Sequence, residues 1–296
     1  MKPFDFVKPD DQEGVISALA AHSPHVRILA GGTDYLVELK HVSQSPGTIV
    51  DVSHLQELRG IEEVEDGLRI GAAVTHTEIM AHPLIEKHVP AMIHAAHTIG
   101  AVQTRNLGTL GGNLVTCVPS MDSGPTLVAL EAKVTIAGPG GSRCIPLTDF
   151  FVGPRKTILE PDELLIDIVI PKCNLGKPTA FYKFGLRKGQ ALALVNAASS
   201  LWVEGGKFKD VKISLGAVAP VVIRCPKAEA SLEGLPISQE IIQEAGRIAV
   251  TEAKPIGDFR ASLEYRNDLI EVLTRRTLNS AIQTASESRG GGSSGR

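Results

Sequence analysis

Apolar and polar positions change period three times within the first 55 residues. Gln12 to Ala21 place apolar residues at helical spacing, Val26 to Ala30 form a short apolar run, Asp34 to His41 return to helical spacing, and Thr48 to Val52 are apolar again. This alternation predicts a small α/β unit. A strand follows at Leu68 to Ala72, and Thr75-His76-Thr77-Glu78 has the capping-box pattern that opens a helix. A further helix is predicted over Ala91 to Ile99. Beyond a glycine-rich stretch at 108–113, DSGPTLVALEA reads as another helix, and KVTIAG and RCIPL form a hairpin turning through Gly138-Pro139-Gly140-Gly141. The strand ELLIDIVIP closes the region near Pro171.

From about residue 178 the pattern becomes consecutive strands, AFYKFGL, ALVNAASSLWVE and FKDVKISLGAV, joined by turns such as Glu204-Gly205-Gly206-Lys207. Apolar-periodic helices follow at 238–253 and 262–285. Strands followed by helices predict an α+β layer of their own. The divisions expected are 1–174, with lobes of about 1–55 and 56–174, then 178–286, and a disordered low-complexity tail at 287–296 that ends SRGGGSSGR. No internal repeat stands out.

Composition narrows the function classes. A chain of 296 residues with 43% hydrophobic and 21% charged residues suits a globular protein of two ordinary domains. A net charge of -3 provides no field for nucleic acid or anionic membranes. No apolar run approaches the roughly 20 residues of a spanning helix, and the start MKPFDFVKPDD lacks a signal-peptide pattern, so a cytoplasmic protein without a membrane span is expected. Cys117, Cys144, Cys173 and Cys225 form no CxxC or CxxH pair, which predicts buried packing thiols rather than zinc or iron–sulfur ligands. All nine histidines precede residue 98; His94 and His97 share a helix face but lack a carboxylate or cysteine to complete a metal site.

Two glycine-rich segments carry the candidate chemistry. In RILAGGTDYL an apolar run meets Gly31-Gly32-Thr33-Asp34, and TRNLGTLGGN spans Thr104 to Asn113. Adjacent glycines remove two β-carbons, so a ligand can approach the backbone, and a turn placed before a helix adds the positive end of the helix dipole. A tight turn without a ligand fits either segment alone; together they fit a pyrophosphate held from two sides. Neither has the GxGxxG of a Rossmann turn or the Lys-Ser/Thr of a P-loop, and EGGKF lies between strands as a hairpin turn. A dinucleotide held without a Rossmann turn favours FAD over NAD.

AGGTD near residue 30, QTRNLGTLGGN some 75 residues later and DELLIDIVIP together resemble the FAD-binding medium subunit of molybdenum hydroxylases, the xanthine dehydrogenase and carbon monoxide dehydrogenase family. The resemblance runs from about Phe4 to about residue 285. It implies an α+β fold: a two-lobed FAD-binding domain of the vanillyl-alcohol oxidase (PCMH-type) superfamily over 1–174, and a C-terminal domain with a three-stranded antiparallel sheet and helices over 178–286. By position it implies that Arg27, Ile28, Leu29, Ala30, Gly31, Gly32, Thr33 and Asp34 wrap the FAD pyrophosphate. Thr109, Leu110, Gly111, Gly112 and Asn113 would clasp it from the other side. Asp122 matches an aspartate near the ribityl and flavin region, Leu165 would pack near the isoalloxazine, and Lys183 falls where the family has a lysine near the flavin. Plainer readings stand beside these: Asp122 as a helix cap, Leu165 as a core strand residue, Lys183 as a solvated strand lysine.

The resemblance also implies a function. A molybdopterin-binding large subunit would oxidise the organic substrate, and electrons would pass through [2Fe-2S] clusters on a small subunit to FAD on this chain. They would leave to NAD(P)+ or another carrier, in a heterotrimer or a dimer of heterotrimers. No acid–base catalytic residue and no metal ligand is implied on this chain. Two departures bear on the details. With only Cys117 and Cys144 in the relevant region, the extra [4Fe-4S] cluster of the hydroxybenzoyl-CoA reductase branch is not expected. Where vertebrate xanthine dehydrogenase has an acidic loop bearing on NAD access, this chain reads Arg187-Lys188-Gly189-Gln190. The alternatives are a self-contained flavin oxidoreductase of the vanillyl-alcohol type and a non-enzymatic nucleotide-binding module.

Overall fold

The structure, a computed structural model, describes residues 2–41 and 45–290. The chain opens with β1 (Asp5–Val7), α1 (Gln12–His22), β2 (Val26–Leu29), α2 (Tyr35–Leu39) and β3 (Thr48–Asp51), whose strands pair in parallel in the order β1-β3-β2. Asp11 fixes the start of α1, its carboxylate accepting the Gly14 N–H at 2.7 Å. Val15 and Leu19 of α1 pack on Val26 and Val50 of the sheet. The helix expected from Asp34 starts one residue later, and Asp34 makes no capping bond with its side chain.

The second lobe contains β4 (Ile61–Val64), β5 (Gly67–Gly71), α3 (His76–Ala81), α4 (Pro83–His88), α5 (Ala91–His97), α6 (Val102–Leu107), α7 (Leu110–Thr116), α8 (Ser123–Ala129), β6 (Lys133–Gly138), β7 (Gly141–Pro146), α9 (Leu147–Phe150), β8 (Phe151–Gly153), β9 (Lys156–Thr157) and β10 (Leu164–Pro171). Its antiparallel sheet has the order β4-β5-β10-β6-β7. The central strand β10 is apolar on both faces because each face meets a core. Leu165, Ile168 and Ile170 join the second lobe, while Leu164 and Ile166 pack with α1 and β2 of the first. The capping box at Thr75 and Glu78 forms and starts α3. The stretch TLGGN, read above as part of a glycine-rich segment, is the first turn of α7, with Thr109 as its N-cap.

The C-terminal layer comprises β11 (Thr179–Gly185), β12 (Ala193–Glu204), β13 (Lys207–Gly216), β14 (Ile223–Arg224), α10 (Pro226–Ala230), α11 (Gln239–Glu252) and α12 (Leu263–Gly290). Its sheet has four strands rather than the three expected: the two-residue β14 pairs with β13 through Leu215 and Ser214, a run too short to show a period in the sequence. The small residues of β12 serve two neighbours. Ser199 meets Thr277 of α12 at 2.6 Å, while the Ser200 hydroxyl donates to the Ala129 carbonyl of α8 at 2.7 Å. The Glu204-to-Lys207 turn forms as expected, with positive φ at both glycines. The expected tail divides: α12 continues through Gly290, so 287–290 are helical, and 291–296 lie outside the described residues. Cys117 and Cys225 are buried, but Cys144 and Cys173 are exposed, on β7 and just after β10, so packing does not account for all four thiols.

Besides the core they share along β10, the two lobes approach most closely at a glycine. A β-carbon on Gly31 would lie 1.8 Å from the Leu107 carbonyl oxygen, far inside van der Waals contact. Gly31→Ala is therefore expected to push the first lobe off the α6–α7 junction and cost about 1–3 kcal/mol, as other overpacking changes do. A lowered urea midpoint at unchanged slope checks this.

Candidate functional site

A cavity of about 420 Å³ lies along this joint, walled by the turn after β2, by α7, by the start of α8 and by Gln190, Ala191 and Leu192 from the β11–β12 connection. Of the sixteen residues singled out from the sequence, Ile28, Leu29, Ala30, Gly31, Gly32, Thr33, Asp34, Thr109, Gly111, Gly112, Asn113, Asp122 and Leu165 line it. Arg27, Leu110 and Lys183 do not. Arg27 folds back onto the Val26 carbonyl at 2.7 Å, and Leu110 is wholly buried in the second-lobe core.

The two glycine segments do different work. Backbone N–H groups of Gly31, Gly32, Thr33 and Asp34 have no acceptor among the described residues. Gly32 sits at φ +67, the left-handed region that turns the chain into α2. On α7, by contrast, the backbone is already paired. The N–H groups of Leu110, Gly111, Gly112 and Asn113 donate to Val74 O, Ala72 O, Thr109 Oγ1 and Thr109 O. Gly111 is needed for packing, since a β-carbon there would meet Ala72 at 2.7 Å; at Gly112 it would meet only Thr109 Oγ1. The expectation that both segments offer their backbone amides to an anion thus holds geometrically for the first alone. The second offers a close-packed wall and the Asn113 side chain, whose amide oxygen accepts from the Ser123 hydroxyl at 2.6 Å.

Asp122 stands at the N-cap position of α8 but makes no capping bond. Its Oδ2 instead accepts from Lys183 Nζ at 2.5 Å and its Oδ1 from Asn196 Nδ2 at 2.8 Å. The pair is buried, with side chains 6% and 8% exposed, so Lys183 is no solvated strand lysine. Burial raises the Asp122 pKa, and the Lys183 ammonium, Asn196 and Thr98 oppose that rise. Lys183 and Asn196 come from β11 and β12, so this contact joins the C-terminal layer to the cavity wall.

Two cavity residues carried no functional signal in the sequence. The Tyr35 hydroxyl is buried without a partner. His76, seen only as part of a capping box, is 2% exposed, and its Nδ1 is sealed without a partner. Burial, aided by the Arg105 charge, drives its pKa down to about 4, so the ring is neutral near pH 7. Gln190, Ala191 and Leu192 reach the cavity from the distant β11–β12 connection, whose Arg187-to-Gln190 stretch drew notice above for acceptor access and not for lining the cavity.

Comparison with known proteins bears directly on this cavity. The family described as "FAD binding domain in molybdopterin dehydrogenase" matches residues 2–173, and "CO dehydrogenase flavoprotein C-terminal domain" matches 180–281. This chain belongs to the FAD-binding medium subunits of the molybdenum hydroxylases. It is 34% identical to the xanthine dehydrogenase FAD-binding subunit of Escherichia coli O157:H7 over 271 residues, covering 90% of this chain and 92% of the relative. The fold superposes on carbon monoxide dehydrogenase from Hydrogenophaga pseudoflava with a TM-score of 0.91 at 29% identity, covering 96% and 99% of the two chains. Quinoline 2-oxidoreductase from Pseudomonas putida 86 gives 0.89 at 30% identity, covering 96% and 100%. The fold is α+β, and no described helix is long and apolar enough to cross a membrane. The cavity fits the cofactor for which the family is named. Unpaired amides on the turn suit a diphosphate, and the apolar Leu164, Leu165, Met121 and Leu192 suit a flat ring system.

Two outcomes test the electrostatics. Lys183→Met strands a buried carboxylate and is expected to cost about 3 kcal/mol, much of it recovered by adding Asp122→Leu; chemical unfolding of both variants checks it. Unfolded His76 titrates near 6.5 and the folded ring near 4, so below 6.5 the unfolded chain binds the extra proton. The stability held above pH 6.5 is lost as pH falls toward 4, about 2 kcal/mol by pH 5. Unfolding free energies at pH 7.5 and 5 should therefore differ less in His76→Gln by that amount.

Proposed function

We propose that this chain is the electron-transferring FAD subunit of a multisubunit molybdenum hydroxylase. Electrons would arrive from [2Fe-2S] clusters on a small partner subunit after a molybdopterin-binding large subunit has oxidised the organic substrate. They would leave to NAD(P)+ or another carrier. The observation that carries this reading is the row of unpaired amides from Gly31 to Asp34, facing a cavity whose other walls include the apolar Leu164, Leu165, Met121 and Leu192. Bound FAD would supply the capacity to take up electrons singly and release them in pairs.

The chain's own residues hold and shield. The amides of Gly31 to Asp34 receive the diphosphate, with Thr109, Gly112 and Asn113 as the facing wall. Leu165 presents an apolar surface to the ring system. Lys183 opposes the rise that burial causes in the Asp122 pKa and fixes that side chain at the wall, acting through the carboxylate rather than lining the cavity itself. Residues 1–174 form the cofactor domain, 178–286 the domain that closes the cavity through Gln190 to Leu192, and the whole works in the cytoplasm as part of a heterotrimer or a dimer of heterotrimers. The similar proteins are named for xanthine, carbon monoxide and quinoline, which supports placing substrate choice outside this chain.

Purification of the complex from its native source, with flavin, iron and molybdenum measured per chain, tests the proposal. One flavin per chain accompanied by iron and molybdenum is expected. Flavin alone with substrate turnover would point to a self-contained flavin oxidoreductase, and absence of flavin would overturn both.

A further inference from the structure

His76, like Tyr35, is a cavity residue with a buried polar atom that the fold leaves unpartnered. It opens α3, and its backbone N–H donates to the Gly108 carbonyl at 3.1 Å, which clamps α3 to the α6–α7 junction. The ring lines the cavity with Gly108 and Thr33 as near neighbours: the site of a β-carbon on Gly108 is 3.5 Å from both His76 Cδ2 and Thr33 Oγ1. Thr33 belongs to the row of unpaired amides, so the imidazole stands across the junction from that row.

The capping box needs no ring at position 76. Thr75 and Glu78 make its bonds, and the Thr75 hydroxyl and N–H both engage the Glu78 side chain. Neither ring nitrogen of His76 has a hydrogen-bond partner among the described residues. A buried polar group left in that condition costs about 1–3 kcal/mol. That cost falls on the sealed Nδ1 whether or not a ligand binds, whereas Nε2 is not sealed in this way and is the nitrogen a molecule in the cavity can meet. Nδ1 is sealed from solvent, and there a bare lone pair is less costly than an N–H without an acceptor. The proton therefore sits on Nε2. Burial keeps the ring neutral, which leaves one N–H donor at the cavity wall rather than a second cation beside Arg105.

We infer that His76 is a further cofactor-binding residue, its Nε2–H donating to a diphosphate oxygen of the bound dinucleotide opposite the Gly31–Asp34 amides. This rests on the FAD reading above and adds a side-chain donor to the backbone amides of the turn. A donor that belongs to the site, rather than to the fold, has a distinct signature: its loss weakens every ligand carrying the diphosphate and leaves the empty protein intact.

The full chain, stripped of flavin, is titrated with FAD and with ADP, which shares only the diphosphate and adenosine. His76→Phe is expected to weaken both by tenfold or more, while thermal unfolding of the empty variant stays within a few degrees of the parent. His76→Gln, which places an amide N–H near the Nε2 position, should recover most of the loss. FAD and ADP affinities within twofold of the parent in His76→Phe would overturn the assignment, as would loss of FAD affinity with ADP unchanged, or equal loss in the Gln variant. A parent chain that binds neither ligand would instead overturn the cofactor reading, and this assignment with it.

Discussion

The approach of the Leu107 carbonyl to the backbone of Gly31 is the contact on which the site depends. Because no β-carbon intervenes, the first lobe's turn lies directly against the α6–α7 junction. The turn is held by sterics and by its left-handed Gly32, not by hydrogen bonds from its own amides. That division matters. A turn stabilised by its own N–H groups would have none left for a ligand, whereas this one is fixed while they stay unpaired. The binding surface is thus set before anything binds, and ordering it costs the ligand little.

The same economy of small residues recurs one layer out. Strand β10 divides its apolar side chains between two cores, and β12 uses Ala197, Ala198, Ser199 and Ser200 to lie between α12 and α8. With both faces of β12 occupied, its Asn196 and the neighbouring Lys183 reach Asp122 in the cavity wall. The C-terminal layer is therefore not an appendage to the cofactor domain. It neutralises the buried carboxylate at one end of the cavity and closes the mouth with Gln190 to Leu192.

Much of this was legible in the sequence wherever one residue determines local geometry. The capping box at Thr75, the Gly205-Gly206 hairpin and the strand ending at Pro171 follow from short-range rules, and the structure reproduces them. Gly31 and Gly32 were identifiable as special, but the reason differed from the one expected. The missing β-carbon at Gly31 makes room for Leu107, a residue 76 positions away by its number, rather than for a ligand. The start of α7 was hidden because glycines disfavour helices, and packing against Ala72 overrides that preference at Gly111. The residue periodicity alone allowed Lys183 to be a solvated strand lysine because its partner is distant in sequence, and β14 was too short to carry a period. Long-range contact, not local propensity, decided each of these.

The arrangement of charge gives the cavity its character. Asp122 is matched by Lys183 and Asn196, so its buried charge projects little field into the space beside it. His76 is held neutral by burial, while the exposed Asp34, whose pKa is raised chiefly by desolvation, has Arg155 nearby as a counter-charge. What remains uncompensated is the set of amide dipoles on the Gly31–Asp34 turn, concentrated at one end. A ligand with its anionic group at that end and an uncharged ring system along Leu164 and Leu165 meets favourable terms at both. One with a charge at the ring end would have to desolvate it against an apolar wall. The fold thus sorts ligands by where their charge lies, and it does so with backbone and glycine rather than with charged side chains.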